Sequence, residues 1–237
     1  MSTACNSCGV RDRALCGTLT DDELADLSRL GVQRALSRGE TLLRAGDPAL
    51  VCANVQSGVL KIASVTAGGS EAIVGLVYPG DFIGRPFAES ADHDGVALTD
   101  VTLCVFPRAI FEKALTDHDR MEHLLLLRTL GDLDRARRWL VRMGHASASA
   151  RVAGFLDDMR RRLALNDCQR GAEPAPLARF DLPLSRGEIA DLLGLTIETV
   201  SRQMTRLRAA GIIDLPGGRA IVITDAAALA EAAEDLG

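Results

Sequence analysis

The sequence has no stretch apolar enough to span a membrane. Its longest uncharged run lies between Pro48 and Leu60 and includes Asn, Gln, Ser and Gly, whereas a spanning helix takes about 20 mostly apolar residues. The start, Met1-Ser-Thr-Ala-Cys-Asn-Ser-Cys8, has neither a basic segment nor an apolar one. No signal peptide is expected, and the expected location is the cytoplasm. Positive charge is also short: 27 Lys and Arg stand against 32 Asp and Glu, a net −5. Composition therefore gives no notice of a nucleic-acid partner, and any basic surface must be local. Lysine is almost missing, with Lys61 and Lys113 its only representatives. The other basic residues are arginines, whose planar fork suits phosphate or base edges, although a genomic bias accounts for such usage equally well. No P-loop, dinucleotide-binding glycine pattern, HExxH or nucleophile elbow is found, which argues against an enzyme. His93, His118, His123 and His145 are scattered and read as surface residues. What is present is an ordinary globular mixture, 47% apolar and 25% charged over 237 residues, with room for two domains.

The cysteines are unevenly placed. Of Cys5, Cys8, Cys16, Cys52, Cys104 and Cys168, three fall in the segment CNSCGVRDRALC. In a reducing compartment such a cluster points to metal binding or redox chemistry rather than a structural disulfide. The two-residue gap lets Cys5 and Cys8 face one centre, and the longer gap closes a loop back to Cys16. Arg11 and Arg13 lie between these thiols and are expected to lower their pKa values and offset thiolate charge. A tetrahedral zinc or an iron–sulfur cluster wants four ligands. A fourth must then come from Cys52, Cys104, Cys168 or a histidine, and spacing does not separate iron–sulfur from zinc. Disulfide formation or oxidation of an exposed N-terminal tail is the bland alternative.

A capping box, Thr20-Asp-Asp-Glu23, opens a short helix with Leu24, Leu27 and Leu30 on one side. From about Gly39 to Pro107, turn residues recur between short β-type runs: 41–43, 59–65, 71–78, 96–98 and 101–106. That pattern predicts an antiparallel sandwich or jelly roll, with Cys104 in its last strand. A short helix from Arg108 and a long one from Asp119 to Met143 follow. Leu126, Leu130, Leu133 and Leu140 repeat on a 4-3-7 spacing, with Arg137 where another apolar residue is due. This is the pattern of a dimer seam, or of a helix packed on its own β-domain. Gly144 and the Ser/Ala run to Ala150 mark a boundary.

Next, Arg151 to Leu165 forms an amphipathic helix with Val152, Phe155, Leu156, Met159 and Leu163 on one face. A Gly/Pro/Ala-containing loop, 166–176, holds Cys168. Residues 182–224 then carry two capped helices joined through Gly194, the first opened by Ser185-Arg-Gly-Glu188 and the second by Thr196. A hairpin follows around Pro216-Gly-Gly218. Two helices with a tight glycine turn make a helix-turn-helix, and the hairpin makes its wing. On the second helix Val200, Met204 and Leu207 form the inner face. Glu198, Ser201 and Arg202, with Thr196, Thr199 and Arg206, form the DNA-facing set. Arg can pair bidentately with guanine, Glu can accept from cytosine, and Ser can reach a base or phosphate.

This order of parts resembles the CRP/FNR family of bacterial transcription regulators over essentially the full chain. Glu198-x-x-Ser201-Arg202 is similar to the FNR-type recognition signature. The seven-residue second cysteine gap resembles the alphaproteobacterial FnrN/FnrL-like branch, some FixK-like relatives of which lack a cluster. The resemblance implies an α+β fold: an N-terminal β-roll like a cyclic-nucleotide-binding jelly roll, a long dimerisation helix and a C-terminal winged helix-turn-helix. Its divisions are a Cys-rich loop (1–19), the β-roll (20–115), the dimerisation helix (116–145) and the DNA-binding domain (146–237). It also implies a [4Fe–4S] cluster on Cys5, Cys8, Cys16 and Cys104, with Cys52 as a competitor for the fourth place. The implied partners are double-stranded DNA with two-fold TTGAT-like sites, a second copy of the chain, and RNA polymerase. The implied function is an oxygen-responsive regulator; a cluster-free or thiol-redox regulator is the alternative. The stretch Gly80-Asp-Phe-Ile-Gly-Arg-Pro-Phe87 has Arg85 where the cyclic-nucleotide branch places a ribose-binding Glu, so cyclic AMP is not expected.

Overall fold

The structure, a computed structural model, describes residues 5, 8–65, 68–69, 71–167 and 179–234, with only the backbone for 164–167. Cys168 and most of the 166–176 loop lie outside the described residues. The chain divides into two compact units, Met1–Asp132 and Leu133–Gly237. No helix among the described residues is long and apolar enough to cross a membrane.

Among the described residues of the first unit, eight strands form two antiparallel sheets. These are β1 (Val32–Leu36), β2 (Thr41–Leu43), β3 (Val51–Ser57), β4 (Leu60–Val65), β5 (Glu71–Val77), β6 (Phe82–Gly84), β7 (Asp94–Ala97) and β8 (Val101–Pro107). One sheet runs β1-β8-β3-β6 and the other β2-β7-β4-β5. Alternation along β8 explains the packing. Val101, Leu103 and Val105 join Val55, Leu60 and Ile83 in the core, while Thr102, Cys104 and Phe106 occupy the opposite face. That face has its own cover. After a 3-10 turn at Arg11–Arg13, Leu15 of a second 3-10 turn (Leu15–Thr18) and Leu19 just beyond it, with Leu24 and Leu27 from α1 (Asp21–Ser28), pack with Phe106. Phe111 and Leu115 from α2 (Arg108–Asp117) and Met121 from α3 (Asp119–His145) complete the cluster.

The jelly roll predicted from the turn pattern is present, yet β1, β3 and β6 were not among the expected strands. In β3, Val51-Cys-Ala-Asn-Val-Gln-Ser57, residues 52–55 are all buried. One face meets the sandwich core and the other meets the N-terminal cover, so the polar–apolar alternation of a half-exposed strand is missing. Two smaller expectations are corrected. Leu30 is 51% exposed, because α1 ends at Ser28 and Leu30 falls in the turn beyond it. His118 is not a plain surface residue: it is half-buried, with Nδ1 3.4 Å from Glu23. The other three histidines are exposed.

The second unit begins within α3, which continues through Gly144 to His145 rather than stopping at the glycine. It contains α4 (Ala148–Asp167), β9 (Arg179–Asp181), α5 (Arg186–Leu193), α6 (Ile197–Ala209), β10 (Ile213–Gly217), β11 (Ala220–Ile223) and α7 (Ala226–Glu234). Phe155, Leu156 and Met159 of α4 are buried together with Ile189, Leu193, Val200 and Leu229. The wing is a three-stranded sheet, β10-β11-β9, rather than the hairpin alone. Strand β9 is only three residues long, and α7 reads Ala-Ala-Ala-Leu-Ala-Glu-Ala-Ala-Glu; neither was among the expected elements. Arg151 ties the unit together, with Nε donating to the Ala146 carbonyl at 3.1 Å and Nη1 to that of Leu193 at 3.3 Å.

Candidate metal centre and nucleic-acid interface

The four cysteines singled out from the N-terminal segment and the last strand come together. Turns hold the loop, with Arg11 N donating to Cys8 O at 3.2 Å and Leu19 N to Cys16 O at 3.2 Å. Register places Cys104 of β8 opposite Gln33 of β1 on one side and Asn54 of β3 on the other. Cys5, Cys8, Cys16 and Cys104 all line one cavity. Leu24, Leu27 and Phe106 supply apolar wall. All four are free thiols. Among the described residues, no three His, Cys, Asp or Glu side chains are grouped closely enough for a single metal ion.

Electrostatics shows how near these sulfurs lie to one another. Burial pushes the Cys16 thiol up to about 11, and the Cys8 and Cys5 thiolates push in the same direction. Cys104 rises to about 12, first by burial and then through Cys5, Cys16 and Cys8. Cys5 is raised by the same two causes. The expectation that Arg11 and Arg13 lower these values is corrected. Arg11 contributes a smaller lowering at Cys5 and Cys16 while its guanidinium is bound to Asp21. Arg13 packs against the Gly80 turn. Cys52, the alternative fourth donor, is on the same face of the sheet as Cys104 but does not line the cavity. It is fully buried beside Gly84, and its thiol is pushed up to about 12 by burial and then by Glu112.

Three polar residues at the cavity carried no sequence signal. Gln56 donates through Nε2 to Cys8 Sγ at 3.8 Å. Ser28 lies beside Cys5 and favours its thiolate. Asn54 is 3% exposed, and its Oδ1 has no hydrogen-bond partner. Sheet register would have found Asn54 and Gln33, but β1 and β3 had first to be recognised.

The second site is built locally. Ser185 and Glu188 cap α5 reciprocally, at 3.2 and 2.7 Å. Gly194 takes a left-handed φ of +59 at its end, which a side chain would strain. Thr196 accepts from Thr199 N and starts α6. Val200, Met204 and Leu207 are buried, joined by Gln203. Thr196, Glu198, Ser201, Arg202 and Arg206 are exposed, and Thr199 is partly exposed. Arg202 Nη2 is held 3.4 Å from Thr199 Oγ1, so the predicted DNA-facing set occupies one accessible region near the N-terminal half of α6. A capped, basic helix presented beyond a tight turn is the geometry of a major-groove reader.

Family models agree in both units. Residues 33–118 match the cyclic nucleotide-binding domain and residues 150–232 the Crp-like helix-turn-helix domain. A "probable transcriptional activator" of Rhizobium leguminosarum bv. viciae is 38% identical over 222 residues, 94% of this chain and 90% of the relative. The chain belongs to the CRP/FNR family of transcription regulators. Another CRP/FNR relative, the transcriptional activator protein FnrL of Cereibacter sphaeroides, is 37% identical over 98% of this chain and 92% of its own length. The solved structure of FixK2 from Bradyrhizobium japonicum superimposes with a TM-score of 0.76 at 28% identity, covering 87% of this chain and 98% of that one. The CRP/FNR architecture of β-roll, long helix and C-terminal helix-turn-helix is therefore this protein's architecture.

Proposed function

We propose that this CRP/FNR protein is an oxygen-responsive transcription activator. Cys5, Cys8, Cys16 and Cys104 hold a [4Fe–4S] cluster, and a homodimer binds two-fold TTGAT-like DNA. The observation that carries this reading is the convergence of four thiols, three from one loop and one from β8, on a single cavity. The donor set fits. Four thiolates that repel one another in an apolar enclosure call for a multiply charged cationic group, and all-sulfur ligation suits iron–sulfur chemistry. Four sulfurs that line one cavity, with no three of them among the described residues grouped for a single ion, suit a polynuclear group better than one zinc, which would draw sulfurs to about 2.3 Å from a point. When bound, the cluster supplies an oxygen-labile cationic core.

The chain's own residues do the rest. The thiols give up protons on ligation and fasten the loop to β8. Glu23, at the start of α1, meets Arg120 of α3 at 2.9 Å and His118 beside it. Arg128 Nη1 donates to Gly80 O at 2.6 Å, and Gly80 packs on Arg13 of the cysteine loop. Ordering the loop therefore bears directly on α3. That helix leaves Leu126 54%, Leu130 48%, Leu133 44% and Leu140 73% exposed, a stripe suited to a second copy of the chain. Glu198, Ser201 and Arg202, with Thr196, Thr199 and Arg206, then read the two half-sites. Activation, and with it RNA polymerase as a partner, follows the activator names of the relatives. The divisions are 1–19, 20–115, 116–145 and 146–237, and the protein acts in the cytoplasm.

Two rival readings are less favoured. Burial raises the Cys16 and Cys104 thiols, away from the lowered values that mark reactive cysteines, which disfavours these two as a thiol-redox pair. Arg85, at the ribose-binding position of cyclic-nucleotide relatives, is paired with Asp92, which disfavours cyclic AMP. The test is to purify the protein without air, assay iron and sulfide, and measure operator binding and sedimentation before and after air. About four irons per chain and a dimer that binds DNA until air is admitted are expected. A colourless, metal-free dimer that binds DNA regardless of air overturns the sensing reading.

A further inference from the structure

We propose that three carboxamides, Gln33, Asn54 and Gln56, form a frame that orients Cys8 and Cys104 and sets how firmly the metal group is kept. The inference rests on the cluster-binding reading above. In register, Gln33, Cys104 and Asn54 lie side by side across β1, β8 and β3, so a carboxamide flanks Cys104 on each side. Gln33 Nε2 donates to Gln56 Oε1 at 2.9 Å. That bond occupies the carbonyl end of Gln56 and leaves its NH2 end for Cys8 Sγ, 3.8 Å away. The chain Gln33→Gln56→Cys8 is thus directional, with every donor pointing toward sulfur.

Asn54 supplies the independent observation. It is buried, it lines the cavity, and its Oδ1 lacks a partner. A buried orphan acceptor destabilises a fold, and a leucine of similar size would avoid the cost. An amide has two ends of equal shape, so its NH2 can be the end turned to the cavity that Asn54 lines. Charged sulfur in the cavity is the partner that position suits. N–H donation to ligating sulfur spreads the thiolate charge, and the loss of such outer contacts typically weakens metal retention by about 10–100-fold.

The experiment uses full-length protein loaded with iron and sulfide without air. The rate of iron transfer to a chelator, still without air, is followed beside thermal unfolding of the metal-free form. Asn54→Leu and Gln56→Leu are expected to load iron and then release it about tenfold faster than the parent. Metal-free Asn54→Leu should unfold no earlier than its parent, because an unsatisfied group has been removed. Gln33→Ala should show a smaller acceleration, since it only frees Gln56 to turn. A parent that takes up no iron overturns both this inference and the reading beneath it. A parent that loads normally, with variants releasing iron at its rate, overturns the frame alone. Faster release matched by earlier unfolding of every metal-free variant also overturns it, by making the residues structural.

Discussion

The helix-turn-helix and the cysteine cavity differ first in the length of chain each needs. The residues proposed to face DNA lie between Thr196 and Arg206 on one capped helix, whereas the cavity joins Cys5 to Cys104 through a loop, a helix and two strands. The first can be built from nearest-neighbour rules: caps, a glycine turn and helical spacing. The second exists only when a strand register and a covering loop are both in place. Local sites tolerate distant change, and assembled sites do not. The two should respond to mutation in opposite ways.

The largest effect is expected at the assembled site. Cys16→Ala or Cys104→Ala should abolish iron uptake, measured as iron and sulfide per chain after anaerobic reconstitution. Cys168→Ala should leave uptake intact, and so should Cys52→Ala, since Cys52 faces Gly84. Uptake retained by Cys104→Ala would remove β8 from the site. Next comes Arg202→Ala, which should lower discrimination between operator and mismatched DNA by about 1–3 kcal/mol, roughly 5- to 150-fold. Its iron content should be unchanged. Loss of iron in that variant would break the separation of the two sites.

Removing the Ser185 cap is a smaller perturbation. Ser185→Ala should destabilise the DNA-binding unit by about 1 kcal/mol, seen in denaturant unfolding, and should spare metal uptake. The smallest effect is a pH dependence. An unfolded thiol ionises near its ordinary value of 9.0, while burial holds Cys52 protonated up to about 12. Between those values the folded state binds the extra proton, so this contribution to stability is intact below 9.0 and is lost as pH rises toward about 12. Cys52→Ala should flatten that part of the fall when metal-free proteins are unfolded across the range.

How much could be read in advance follows the same division. Ser185, Gly194 and Thr196 were recognisable because each acts on backbone groups within four residues of itself. The inner face at Val200, Met204 and Leu207 followed from helical spacing alone. Strand β3 was not recognisable, because Cys52, Ala53, Asn54 and Val55 are buried on both faces and leave no alternation. With β3 unseen, nothing marked Asn54 or Gln56 as neighbours of the thiols. The lowered thiol pKa values expected from Arg11 and Arg13 failed for a related reason. Charge adjacency in sequence says nothing about burial, and burial outweighs Arg11 at Cys5 and Cys16.

By itself, then, the order of amino acids determined the elements whose causes are local: both capping boxes, the exposed polar face of α6, the 4-3-7 leucine stripe and a loop able to present three sulfurs together. Tertiary structure alone decided that Cys104 rather than Cys52 lines the cavity, because both share one face of the sheet and only strand register fixes which of them lies beside the loop's sulfurs. It also decided which polar groups surround the sulfurs. A hydrogen bond such as that from Gln56 to Cys8 depends on a position in space that 48 intervening steps of chain do not specify.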